Sequence, residues 1–163
     1  MKKLLLLFVS VLLFLACNSS DDSSLNFNSD IRVNGVVFTP TNARVSNATA
    51  NMPGEGAMAF SFTKGTSGSS GYEAVNFTIN YPLTSSSAPN GVYEFGIGVI
   101  GEVLFAQGFY VKGSTAYDMA GYSVQVTALS NNEYRIDFQN IQAFNPLNSQ
   151  VVIISGYYEG EIN

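Results

Sequence analysis

Cys17 is the single cysteine of this chain, and the chain contains no histidine. Those two facts remove much chemistry at once. A nucleophile activated by a histidine base cannot be built. A zinc site of cysteine and histidine ligands cannot be built either. No glycine-rich loop stands between a strand and a helix to cradle phosphate, and no Asp-x-Asp-x-Asp-Gly calcium loop occurs. Acidic residues and tyrosines remain. Glu159 and Glu161 lie two apart on one strand face, with Glu94, Glu102, Asp118, Glu133 and Asp137 on neighbouring strands or turns. Two such carboxylates meeting across a sheet can act as a glycosidase acid and base, or help hold a calcium ion. The simpler reading is a set of solvent-facing charges that protect sheet edges. No catalytic residue, metal ligand or cofactor is assigned. Tyr110, Tyr122, Tyr157 and Tyr158 are candidate stacking residues for a glycan. Tyr157 and Tyr158 are adjacent, so a strand turns them to opposite faces.

Cys17 ends an apolar run. Met1-Lys2-Lys3 is followed by Leu4 to Ala16, almost unbroken in apolar residues, and then by Cys17-Asn18-Ser19-Ser20. A basic start, a short apolar stretch and a small residue before the cut describe a secretory signal. The run is too short for the ~20 residues that span a bilayer. Phe14-Leu15-Ala16-Cys17 resembles the lipobox of bacterial lipoproteins, with Phe14 and Leu15 departing from its usual leucine and small residue. The resemblance implies that residues 1–16 are removed. It also implies a thioether-linked diacylglycerol on Cys17 and a further acyl chain such as palmitate on its amine. Each buried methylene then contributes ~0.8 kcal/mol, and several chains anchor stably.

The residues after the cysteine extend that reading. Asn18 to Ser24 is polar and acidic, suited to a solvated tether. Ser20-Asp21-Asp22 resembles the short acidic export signal of Bacteroidetes lipoproteins sent to the cell surface. Asn18 stands where an aspartate would mark retention in the inner membrane. The implied address is the outer membrane, on its exposed side.

The full chain carries a net charge of −5, and loss of Lys2 and Lys3 makes it −7. That acidity argues against nucleic acid and anionic headgroups as partners. The remaining 147 residues suffice for one domain with its own core. Few charges, abundant Gly, Ser, Asn and Thr, and many aromatics suit an extracytoplasmic β protein. With one cysteine no intrachain disulfide can form.

Period-2 alternation recurs along the body, and no segment reads as a helix. Ile31-Arg32-Val33 and Val36-Val37-Phe38 flank Asn34-Gly35, a two-residue hairpin signal. Met58, Phe60 and Phe62 share a face within 57–64. Across 72–81, Val75, Phe77, Ile79 and Tyr81 oppose Asn76, Thr78 and Asn80. In 103–112, Val103, Phe105, Phe109 and Val111 oppose Leu104, Ala106 and Tyr110. Further strands are expected at 92–97, 121–129, 133–144 and 150–162, with a short one near 43–45. A phase slip predicts a bulge at Gln139-Asn140.

The expected architecture is all-β: an antiparallel β-sandwich of eight or nine strands, with an up-and-down lipocalin-like barrel as the alternative. The expected divisions are a signal peptide at 1–16, a lipidated tether at 17–29 and the β domain at 30–163. The Asn34-Gly35 hairpin with Val37-Phe38, Gly91-Val92-Tyr93 and the closing Ile154 to Gly160 resemble small all-β outer-membrane lipoproteins of Bacteroidetes with no assigned activity. The expected function is non-enzymatic: a lipid-anchored accessory or interaction subunit at the outer membrane surface, joined to the membrane through Cys17 and to an outer-membrane protein complex. A glycan-binding module and a lipocalin-like carrier of an apolar ligand are the alternatives.

Overall fold

Alternating apolar and polar residues, glycine-rich turns and no helical periodicity leave the chain one way to satisfy its backbone, which is to pair strands. The computed structural model describes residues 27–50, 53–86, 88–96, 104–130 and 132–163. The signal segment, Cys17 and most of the tether lie outside the described residues. Among the described residues there is no helix, and twelve strands form one sheet. They are β1 (Phe27–Ser29), β2 (Arg32–Val33), β3 (Val36–Val37), β4 (Asn42–Ala48), β5 (Glu55–Lys64) and β6 (Glu73–Pro82). The second half supplies β7 (Gly91–Phe95), β8 (Phe105–Lys112), β9 (Thr115–Ala120), β10 (Ser123–Ser130), β11 (Glu133–Phe144) and β12 (Val151–Glu161).

The strands run β3-β2-β12-β11-β10-β7-β8-β6-β5-β4 across the sheet. β1 lies against β12, and β9 bridges β11 and β8. The sheet is mixed rather than wholly antiparallel, because β7 and β8 pair in parallel through Glu94–Phe105 and Phe95–Ala106. Twelve strands exceed the eight or nine expected. β1 forms within the segment expected to be tether, and β9 falls where no strand is expected. β9 and β10 share one register along β11, broken at Gly121 and Tyr122, which both take positive φ.

Local sequence signals have their expected outcomes. Asn34 and Gly35 take φ of 50° and 76°, as the two-residue turn requires. The β11–β12 register shifts between Phe138 and Ile141, and Asn140 takes φ of 56°. At Gly156 (φ 92°) an added Cβ would overlap the Asp30 carbonyl oxygen. A glycine there lets the chain after β1 cross β12, where Asp30 N–H donates to the Tyr157 carbonyl at 2.9 Å.

One face of the sheet encloses the core. Phe60, Phe62, Phe77, Phe95, Phe138 and Tyr158 pile together with ring centroids 4.8–6.4 Å apart. Edge-on and stacked pairs alternate in this pile, and such pairs add to their area burial. At one end the described backbone also links the far strands. Val45 N–H donates to the Asn163 carbonyl at 3.0 Å, and Asn163 N–H donates to the Ala43 carbonyl at 3.2 Å. Strand β4, at the end of the sheet order, thus meets the segment that follows β12.

Candidate functional site

Two concave surfaces stand out. The larger, about 720 Å³, runs along the outer face of β5, β6 and β8. Its position follows from alternation. Val75, Phe77 and Ile79 of β6 point into the core, so Asn76, Thr78 and Asn80 point out. Cross-strand register sets their neighbours. Asn76 lies between Ser61 and Phe109, Thr78 between Ala59 and Gln107, and Asn80 between Ala57 and Phe105. Gly108 draws β8 close to β6, since a Cβ there would overlap the Asn76 carbonyl oxygen and lie 2.7 Å from Phe77 Cβ.

The chemistry of this groove is uniform. Among the described residues that line it, none is charged. Ser61 Oγ donates to Asn76 Oδ1 at 2.6 Å, which fixes the amide and leaves its N–H groups for other partners. Phe109 stands at the rim, 45% exposed. Asn80 is the exception to its outward position, at only 2% exposure. Its Oδ1 is buried with no hydrogen-bond partner in the protein. A buried acceptor without a donor costs about 1–3 kcal/mol, so its retention calls for an explanation.

The second concavity, about 460 Å³, lies at the end where the β2–β3, β5–β6, β8–β9 and β11–β12 turns gather. Tyr110 and Tyr117 stand within it, their rings 5.7 Å apart. Lys112 Nζ pairs with Glu73 Oε1 at 3.4 Å on the rim. Lys112 is largely solvated and Glu73 mostly covered, and each neutralises the other, so the pair offers little unspent charge to a ligand.

The four tyrosines singled out by type do not share a surface. Tyr110 and Tyr158 are core residues. Burial pushes the Tyr158 hydroxyl up to about 12, with the nearby Glu161 charge adding to it. Tyr110 is raised further, by burial first and by Glu73 and Tyr117 after it. Tyr122 is 59% exposed at the β9–β10 break. Tyr157 lies on the outer face of β12 beneath Arg135, whose guanidinium carbon sits 4.8 Å from the ring centre. The physical reason is parity. Inward and outward positions alternate, and burial takes whichever tyrosines fall on the inward set.

Glu102 lies outside the described residues, and among the described ones Glu133 and Glu159 line one small open concavity of about 260 Å³, with Glu159 committed to Arg135. Asp137 and Glu159 both converge on Arg135, at 2.8 and 2.7 Å. Those hydrogen bonds, Asp137 first and then Glu159, hold the guanidinium further above its ordinary range. Glu133 and Glu161 face each other across β11 and β12 at an exposed end. Among the described residues no group of three or more acidic or sulfur ligands is placed to hold a metal ion.

The alternation sets Asn76, Thr78 and Asn80 on one face of their strand and Phe109 on a face with Val103, Phe105 and Val111, without saying which face is outward and without singling these residues out. The signal was an uncharged polar residue at every second position of an otherwise apolar strand. Comparison with protein-family models, with curated proteins and with solved structures finds no match to this chain.

Proposed function

We propose that this chain is a lipid-anchored protein of the outer membrane surface that binds a ligand without transforming it, through the outer groove of β5, β6 and β8. The observation that carries the binding role is the buried, unpartnered Oδ1 of Asn80 in a groove lined by uncharged residues. The Phe14–Cys17 lipobox and the acidic Ser20–Asp22 segment support the anchor and the address. The convergence of Asp137 and Glu159 on Arg135 supports a binding protein over a glycosidase.

The finer architecture is read as a rolled, barrel-like sheet rather than two separate layers, on the backbone bonds of Asn163 to Val45 and Ala43. Its interior holds the phenylalanine and tyrosine pile, which an apolar cargo would have to displace; the carrier reading therefore ranks below surface binding. The chain from Cys17 joins the sheet at Phe27, which pairs with Gly160 at the far end of β12 from Gln150.

Metabolic labelling with an alkyne fatty acid, followed by protease shaving of intact cells, tests the anchor and the address. The full chain is expected to take up label and to be removed by shaving, while Cys17→Ala takes up none. Label retained by Cys17→Ala, or a chain protected in intact cells but cleaved in lysed ones, overturns that part of the reading.

A further inference from the structure

We infer that the groove of β5, β6 and β8 is a binding site for a neutral glycan, an inference that rests on reading this groove as the ligand surface. Three features select the chemistry. First, no charged side chain lines it among the described residues, so it has nothing to compensate a phosphate, a sulfate or an acidic sugar. Second, its polar groups are amides and hydroxyls, Asn76, Thr78, Asn80, Gln107 and Ser61, which donate and accept side by side. Ligands whose own groups both donate and accept, as sugar hydroxyls do, match such a set. Third, Phe109 offers an exposed ring at the rim, and the C–H face of a pyranose packs against an aromatic ring.

Asn80 sharpens the assignment. Its Oδ1 is an acceptor that has lost water and found no donor. Turned toward the groove that Asn80 lines, this oxygen accepts a ligand O–H, and in the low dielectric of a buried site the bond is strong. A peptide added as an extra strand does not fit, because β5, β6 and β8 have strands on both sides and their backbone groups are committed to the ladders. A wholly apolar ligand would leave the amides unpaired.

The groove is pre-formed in three ways. Ser61 fixes Asn76 through the 2.6 Å bond. Gly108 seats β8 against β6. The three outward residues of β6 are held at fixed spacing along one strand, so little ordering is required on binding.

The test is a glycan array probed with the detergent-solubilised full chain, followed by calorimetric titration with the neutral oligosaccharide that binds best. Phe109→Ala, Gln107→Ala and Asn80→Ala are compared with the unsubstituted chain, each with its melting curve. Phe109 and Gln107 are exposed, so their variants keep the fold. Asn80→Ala removes an unsatisfied acceptor and is expected to melt no lower than the parent. The expected result is binding to neutral oligosaccharides that weakens about tenfold or more in Phe109→Ala and Asn80→Ala, and less in Gln107→Ala. If neutral glycans are ignored while a combinatorial peptide library yields ligands that Phe109→Ala no longer holds, the glycan assignment falls and the groove stands as a binding surface. If neither source yields a ligand, or all three variants bind as the parent does, both readings fall. Preference for acidic over neutral glycans also overturns the inference.

Discussion

Val45 and Asn163 are joined backbone to backbone, with the Val45 N–H 3.0 Å from the Asn163 carbonyl oxygen. Asn163 returns a bond to Ala43 at 3.2 Å. The residue between this link and β12 is Ile162, fully buried, whose own N–H donates to Asn132 at 2.9 Å. One short segment thus ties β4, at one end of the strand order, to the β10–β11 turn. The link is made by few groups, so its side chain matters more than its length suggests.

Ile162→Ala is expected to cost about 2–5 kcal/mol, the range for deleting most of a buried isoleucine. Urea denaturation checks it. A midpoint unchanged from the parent would mean that Ile162 does not hold this end of the sheet.

Gly108→Ala is expected to destabilise by about 1–3 kcal/mol or more, because the new methyl meets backbone rather than a side chain that can move. The same change pushes β8 away from β6 and disturbs the groove. Paired melting and ligand titration should show both losses together; ligand binding that survives with a lowered melting point would place the binding surface elsewhere.

Arg135 holds Asp137 in a two-pronged bond and Glu159 in a single one, and covers Tyr157. All four side chains are partly solvated on the outer face. Arg135→Ala is therefore expected to cost only about 1 kcal/mol or less at low salt, and less still in molar salt. Denaturation at two ionic strengths measures it. A loss that does not shrink with salt would assign the effect to packing against Tyr157.

Alkaline pH should unfold the domain through its buried tyrosines. Burial is the leading cause that raises Tyr158 to about 12 from an ordinary 10, and Tyr93 and Tyr110 lie further up. Their folded forms resist ionisation that the unfolded chain accepts near 10. The stability they contribute is complete below 10 and is lost as pH rises through about 12. Phenolate absorbance followed with circular dichroism should show Tyr93, Tyr110 and Tyr158 ionising together with loss of structure. Ionisation of Tyr93, Tyr110 and Tyr158 near 10 with the fold intact would contradict this.

Much of the strand pattern was legible in the sequence because its causes are local. Asn34-Gly35 makes its turn from the two residues' tolerance of positive φ. The slip between Phe138 and Ile141 is visible because a bulge shifts the phase of alternation within one strand. Val75, Phe77 and Ile79 announce their shared face by spacing alone. Strand β9 was not legible, since Thr115–Ala120 is short and mixes alanine and aspartate with its apolar residues. It exists as a strand because β8 and β11 offer it edges on both sides.

The sequence by itself determined which residues share a strand face, which turns are tight, and which chemistries a chain with one cysteine and no histidine lacks. Only the tertiary structure decided which face is buried, and so placed Tyr110 and Tyr158 in the core. It also placed Gln107 and Phe109 beside Asn76, Thr78 and Asn80, and left the Asn80 oxygen without a donor. Alternation is a property of one strand and can be read along the chain. Burial and groove formation depend on which distant strands meet and how their sheet curves, and those are sums over many long-range contacts that no local window contains.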